Sequence, residues 1–401
     1  MSKIIAINSG SSSLKFKIFQ MPEETVVASG LCERIGFDEA LFTLNYQGKK
    51  HISDIRTDGT ITVHDAISEI LKALLSYGVV KSLDEIDGAG HRIVQGGAYF
   101  DKSVAVTDDV VAKVEELAEL APLHNPAHLV CYREFCKFLP NIRHVFVFDT
   151  AFHQTMEPES YLFPVPMEWC TDYKIRRYGA HGTSHKYVCE RTAEIMGKDV
   201  KDINVITCHM GNGVSITAIK GGKVINTSMG LTPLGGVMMG TRCGDIDPSV
   251  VYHMMKKLGC DAYEMDEILN KKSGLYGISG VTSDVRDVLM SAETGNLKAH
   301  IAIDMFANRV VNFIGGYFVQ LGHVDAISFT AGIGENSDHV RACILRRIEE
   351  ALELDIDYDL NHSARGVEVC LSKPDSRVKV FVVPTNEELV IARDTQRILG
   401  L

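Results

Sequence analysis

The chain lacks the short signatures that commonly announce a nucleotide, metal or membrane function. It holds no G-x-x-x-x-G-K-[ST] and no G-x-G-x-x-G string, so any nucleotide site must be of another architecture. None of its ten cysteines falls in a C-x-x-C pair or stands with histidines at zinc-ligand spacing. Most sit in apolar runs, such as those around Cys208 and Cys343, where a cysteine behaves as a small buried hydrophobe; this usage fits a reducing compartment. No uncharged stretch reaches the ~18 apolar residues of a membrane span. The apolar run Ile4–Ile7 near the N-terminus is too short for the core of a signal peptide, so a cytoplasmic location is expected, with no membrane partner. Low-complexity segments, charge blocks and proline-rich linkers are missing as well. Basic charge is scarce: 41 Lys and Arg stand against 52 Asp and Glu, a net charge of −11. That excludes general nucleic-acid binding, which needs a basic surface to displace counterions. An anionic substrate must therefore meet a local cluster of basic side chains.

What is present is ordinary in bulk and specific in pattern. With 45% hydrophobic and 23% charged residues the chain is globular, and 401 residues allow two or three domains. Residues 3–19 read as strand, Ser-rich turn and alternating strand. The design returns at Val205–Ile225 around Gly211-Asn212-Gly213, and a third apolar strand, Ala326–Thr330, breaks into Gly332-Ile333-Gly334-Glu335-Asn336. A repeated hairpin with a small-residue turn predicts an internal duplication. Helices are expected over residues 66–75, 299–321 and 338–353, the last capped by Ser337. Strands and helices alternate throughout, so the class is α/β.

Several segments carry candidate chemistry. In Asn8-Ser9-Gly10-Ser11-Ser12-Ser13, followed by Lys15, small residues let backbone N–H groups approach an anion, hydroxyls add donors and lysine adds charge. Asn8, at a strand end, suits a hydrated Mg²⁺. The two Gly-rich loops at 211–213 and 332–336 each follow an apolar strand, as nucleotide loops do at a sheet edge, although either alone would also serve as a tight turn. Arg92 follows the turn-like Asp87-Gly88-Ala89-Gly90 and precedes apolar residues and Gly96-Gly97. Its planar fork matches a carboxylate or phosphate, while a structural ion pair is the commoner use of such an arginine. Asp149 ends the apolar strand Phe146–Phe148, where a buried carboxylate needs a dedicated partner. His181 lies between glycines that leave little to pack and is a credible electrostatic stabiliser; His185 reads as a helix-start residue without that role. Arg242 sits on a mobile-looking loop, residues 235–248, and suits transition-state charge stabilisation. Glu387 opens the last helix, where the helix dipole alone favours it.

Taken together, Asn8 to Lys15, His91-Arg92 with Gly96-Gly97, Phe148 to His153, Arg177 to His185, Gly211-Asn212-Gly213, Gly240-Thr241-Arg242, Gly332 to Asn336 and Thr385 to Glu388 resemble the acetate kinase (acetokinase) family, in family order and over nearly the whole chain. The resemblance implies duplicated actin-like (ribonuclease H-like) α/β domains around a nucleotide cleft: residues 1–150 completed by a C-terminal helix at 386–401, and a nucleotide-binding domain at 151–385. It implies reversible transfer of the ATP γ-phosphoryl to acetate, giving acetyl phosphate and ADP. Mg²⁺ would be held by Asn8 and Glu387, with Mn²⁺ as a substitute. Phosphates would meet Ser11, Ser13 and Lys15. The nucleotide would be lined by His209, Met210, Gly211, Asn212, Gly213, Asp284, Val285, Arg286, Gly332, Ile333, Gly334, Glu335 and Asn336. Arg92, Asp149, His181 and Arg242 would carry catalysis. Arg92, Val94, Leu123 and Pro233 would hold the acyl group, and the chain would work as a homodimer. Two departures stand out: Gln95 where the family often has His, and Ala180 where it frequently has Phe. Ala180 would widen the acyl pocket, so a propionate or butyrate kinase is the nearest alternative. A nucleotide-gated binding protein of the same fold is the alternative of another class.

Overall fold

The computed structural model describes all residues except Ser11 and Leu123. The chain divides into two compact units, one formed by Met1–Phe152 with Asn386–Leu401 and the other by His153–Thr385.

The first unit is built on an eight-stranded sheet of β1 (Ser2–Ser9), β2 (Ser13–Met21), β3 (Thr25–Glu33), β4 (Glu39–Tyr46), β5 (Lys49–Arg56), β6 (Gly88–Ile93), β7 (Val104–Ala105) and β8 (Arg143–Phe148), in the order β5-β4-β3-β2-β1-β6-β8-β7. The hairpin expected at residues 3–19 pairs Asn8 with Lys15 across β1 and β2. On one face the helix Val63–Ser76, closed by a Thr62/Asp65 capping box, and the helix Asn125–Phe138 cover Ile5, Ile7, Phe16 and Ile18. The C-terminal helix Glu387–Leu399 packs on β1, β6 and β8. Gly88-Ala89-Gly90, expected as a turn, is instead strand β6 between β1 and β8. The glycines are there because the C-terminal helix comes close: a Cβ on Gly90 would lie 2.3 Å from Thr395 Oγ1 and 2.4 Å from Ile391 Cγ2.

The second unit holds a six-stranded sheet of β9 (Asn204–Met210), β10 (Val214–Lys220), β11 (Lys223–Thr227), β12 (Ala326–Thr330), β13 (Val369–Cys370) and β14 (Lys379–Val382), ordered β11-β10-β9-β12-β14-β13. The series β3-β2-β1-β6-β8 and β11-β10-β9-β12-β14 share both order and pairing sense: two antiparallel steps followed by two parallel ones. This is the duplicated actin-like arrangement. The period of two along β9 and β10 sends Ile206, Cys208, Met210, Val214 and Ile216 into the apolar core beneath the long helix Leu297–Leu321. Thr207, His209, Ser215 and Thr217 alternate with them, buried and polar. The helix after Ser337 runs from Asp338 to Ile348 and is shorter than expected; residues 349–353 continue as turns, with Leu352 in the core and Glu353 in a left-handed conformation. Among the described residues no helix is long and apolar enough to cross a membrane.

Candidate active site

In the first unit, parallel strands β6 and β8 put Arg92 opposite Val147, two residues short of Asp149. Asp149 is fully buried, and its carboxylate accepts from Arg92 Nε at 3.0 and 3.1 Å and from Nη2. Arg92 Nη1 donates to Asn8 Oδ1 at 3.1 Å, and Asn8 Nδ2 donates to Glu387 Oε2 at 3.2 Å. Burial opposes the charge on Arg92, but Asp149 and then Glu387 keep its guanidinium firmly protonated. Burial, followed by the nearby charges of Asp149 and Glu388, raises Glu387 to about 7 against the pull of Arg92. Glu388 goes the other way: Lys15 and Lys17, at 2.8 and 3.2 Å, hold it below the usual carboxylate range although burial pushes it up. Lys15 is thus ion-paired on the C-terminal helix, where phosphate contact was expected, and half of its side chain remains exposed. Ser13 begins β2, its carbonyl accepting from Gly10 N at 2.7 Å. Val94 is buried, its N–H directed at His128 Nδ1. Ser11 and Leu123 lie outside the described residues.

The oxygens of Asn8 and Glu387 suit a hard divalent cation. Among the described residues no group of three His, Cys, Asp or Glu could hold a metal by itself. A cation there would also relieve the crowding of carboxylates that pushes Glu387 upward.

In the second unit the separated nucleotide loops converge. A cavity of about 950 Å³ is lined by Gly211, Asn212, Gly240, Asp284, Val285, Arg286, Gly332, Ile333 and Asn336, with Leu289 and Met290 adding apolar surface; its volume suits a nucleotide. Asp284 caps the helix Val285–Glu293 and pairs with Arg286. The Gly332–Asn336 segment is a short helix, Ala331–Asn336, where a loop was expected. It closes because Glu335 Oε1 accepts from Ala331 N at 2.8 Å and Thr385 N at 3.1 Å, so Glu335 holds the segment and does not line the cavity. Gly334 is also set back: its carbonyl accepts from the fully buried Arg341 at 2.9 Å, and Arg341 further donates to Asn361 and Ala364. Nothing in the sequence around Arg341 signals that role. Met210, expected at the nucleotide, has its side chain in the apolar core.

Gly213 and His209 stand beside a different cluster. A Cβ on Gly213 would meet His181 Cε1 and Nε2 at 3.0 and 3.1 Å and Arg242 Nη1 at 3.4 Å, so this glycine lets the imidazole and the guanidinium flank one spot. His181 sits at φ 60°, ψ 25° before the helix Gly182–Ile195 and stacks on His209 with ring centroids 4.0 Å apart. Such a left-handed backbone in a non-glycine residue is uncommon and concentrates at functional sites. Arg242 Nη1 donates to the Pro233 carbonyl at 3.2 Å and has no carboxylate partner among the described residues; burial pulls its pKa down. The loop that carries it is packed, not open. Val237, Met238 and Met239 are buried, Asp245 accepts from Gly236 N at 2.7 Å, and Asp247 caps the helix Pro248–Leu258. Ala180 is buried against the second unit's core.

A duplicated actin-like fold, a nucleotide-sized cavity and a guanidinium with no carboxylate partner among the described residues define a nucleotide-dependent phosphotransferase. The comparisons with known proteins are specific. The model of the acetokinase family matches residues 3–393. The chain is 52% identical to the acetate kinase of Geobacillus kaustophilus (strain HTA426) over the full length of both. Among solved structures, the Porphyromonas gingivalis acetate kinase is 44% identical with a TM-score of 0.92, all of both chains being covered. A propionate kinase from Francisella tularensis is 39% identical, also at 0.92, covering 99% of this chain and 100% of its own. The chain belongs to the acetokinase family.

Proposed function

We propose that this chain is a cytoplasmic acetate kinase, transferring the γ-phosphoryl of ATP reversibly to acetate to give acetyl phosphate and ADP by direct in-line displacement. The observation that carries the mechanism is Arg242: a half-buried guanidinium with no carboxylate partner among the described residues, beside His181 at Gly213. Acetate is ionised at neutral pH and needs no base to become a nucleophile. The barrier lies in bringing one anion to another, and a desolvated cation kept free of protein carboxylates is what lowers it. Arg92 is the proposed carboxylate clamp. Of its five N–H groups, three are committed to Asp149 and Asn8, leaving two for a substrate oxygen. Asp149 acts by fixing the plane of that guanidinium. Asn8 and Glu387 would hold Mg²⁺, with Mn²⁺ as a substitute, and the cation would supply charge neutralisation to the phosphates.

Propionate is the second reading, supported by the likeness to the Francisella tularensis propionate kinase; one added methylene changes binding by only ~1–3 kcal/mol. A homodimer is proposed through the helices Met167–Tyr173 and Pro248–Leu258. Neither buries any residue, and they leave Trp169, Tyr173, Tyr252 and Leu258 between 46% and 68% exposed; a second copy of this chain is the proposed cover. The test is hydroxylamine trapping of acyl phosphate with ATP and Mg²⁺, using acetate, propionate and butyrate, with Arg92→Ala alongside. Hydroxamate formed fastest from acetate and lost in the variant supports the reading. Faster turnover of a longer acid moves the substrate to that acid, and no hydroxamate from any acid refutes the kinase reading.

A further inference from the structure

The polar face of β9 and β10 carries a chain of hydrogen bonds that the reaction as described does not use. His185 is completely buried in the first turn of the helix Gly182–Ile195. Its Nδ1 lies 2.7 Å from Thr207 Oγ1 and its Nε2 lies 2.7 Å from Ser215 Oγ. The same Ser215 hydroxyl is 2.8 Å from His181 Nδ1. Thr207 and Ser215 are also completely buried.

We propose that Thr207, His185 and Ser215 form a directional relay that fixes His181 in the tautomer bearing its proton on Nε2, the nitrogen beside Gly213 and Arg242. The polarity follows from proton counting. A hydroxyl has one proton to donate, and a buried donor left unmatched costs about 1–3 kcal/mol. Thr207 Oγ1 has one hydrogen-bond partner among the described residues, His185 Nδ1, so its proton goes there. His185 stays neutral, because burial and then the neighbouring His153 and His209 push its pKa well below the usual histidine value. Its single proton is then on Nε2 and is donated to Ser215 Oγ. Ser215 passes its own proton to His181 Nδ1, and His181 presents an N–H from Nε2. The opposite polarity would strand the Thr207 proton and turn a lone pair of His181 toward the developing charge.

The consequence for catalysis rests on the kinase reading: a pre-oriented N–H donor needs no reorganisation when phosphoryl charge develops. Thr207, His185 and Ser215 are therefore positioning residues. The readout of the relay itself is independent of activity. The full chain labelled with ¹⁵N-histidine is examined by long-range ¹H–¹⁵N correlation, with His181 resonances identified by their loss in His181→Ala. The expected result is a protonated Nε2 and an unprotonated Nδ1 on His181, replaced by a tautomer mixture in Ser215→Ala. A protonated Nδ1 on His181 in the unaltered protein overturns the proposal, whether or not the chain forms acyl phosphate. In kinetics, Ser215→Ala and Thr207→Val each lower kcat about tenfold with KM for ATP held within about twofold, and Thr207→Ser restores what Thr207→Val loses. In a His181→Ala background Ser215→Ala costs nothing further. The same tenfold loss persisting there would make Ser215 a structural residue and overturn the relay's role.

Discussion

Replacing Asp149 by Asn separates two roles for this carboxylate, positioning and proton transfer. In the structure it grips Arg92 through Nε and Nη2 and is fully buried. Asn keeps one acceptor oxygen and turns an NH₂ toward a guanidinium that can only donate. The bidentate, charge-assisted pair is lost, and breaking a buried pair costs about 3 kcal/mol or more. If roughly that amount is expressed as disorder of the Arg92 fork, kcat/KM for acetate falls on the order of a hundredfold, with KM for ATP little changed. The assay is initial-rate hydroxamate formation across pH, in the single variants and in Arg92→Ala/Asp149→Asn. A positioning role lowers the amplitude of the pH–rate profile and leaves its acidic limb in place, and the double variant is no worse than Arg92→Ala. Loss of the acidic limb, or a full hundredfold penalty persisting without Arg92, would refute positioning and restore Asp149 as a base.

Three further outcomes follow from the geometry. Arg242→Met should lower kcat by about 10²–10³ without lowering the thermal midpoint, because a half-buried guanidinium with no carboxylate partner among the described residues contributes no ion pair to the fold; differential scanning fluorimetry alongside kinetics reads both. Gly90→Ala should destabilise by about 1–3 kcal/mol, since its Cβ would strike Thr395 and Ile391. Because Glu387 rides on the displaced helix, the Mg²⁺ concentration for half-maximal activity should also rise. Acid should weaken the protein through His91 and His144, hydrogen-bonded at 2.9 Å among Tyr132, Phe135 and Phe146. Burial lowers His144 from 6.5 to about 4, and burial, then His144 and His128, also lower His91 well below the usual histidine value. The unfolded chain therefore takes up protons below pH 6.5 that the folded chain refuses. Stability present above that value is lost as pH falls, by about 2 kcal/mol from His144 at about pH 5, with His91 acting in the same direction. Urea midpoints at neutral and acid pH measure it, and equal midpoints would refute the buried-neutral assignment.

The candidate residues that the sequence could name are those whose signal is local. The Ser-rich turn, the strand-end Asp149, the Gly-flanked His181 and the paired Gly-rich loops are each set by a few adjacent residues. The duplication was readable from period-two strands around small-residue turns. Harder were the positions whose meaning depends on distant partners. Gly88 and Gly90 look like a turn, because no local rule reports that a helix 300 residues onward will press on them. His185 looks like a helix opening, because its partners Thr207 and Ser215 lie on strands not yet formed when the helix is read. Lys15 beside a phosphate-like turn has its ion partner, Glu388, at the far end of the chain.

By itself the sequence determined the α/β class, the repeated unit and the membership of the acetokinase family, because strand period, turn chemistry and motif order are properties of neighbouring residues. Only the tertiary structure decided what each charged group does. Asn8 meets Glu387 across 379 positions of chain and Arg92 meets Asp149 across 57, while Arg242 meets no carboxylate among the described residues. The physical reason is that a charge is defined by what surrounds it once water is removed, and those surroundings come into being only when the chain has folded.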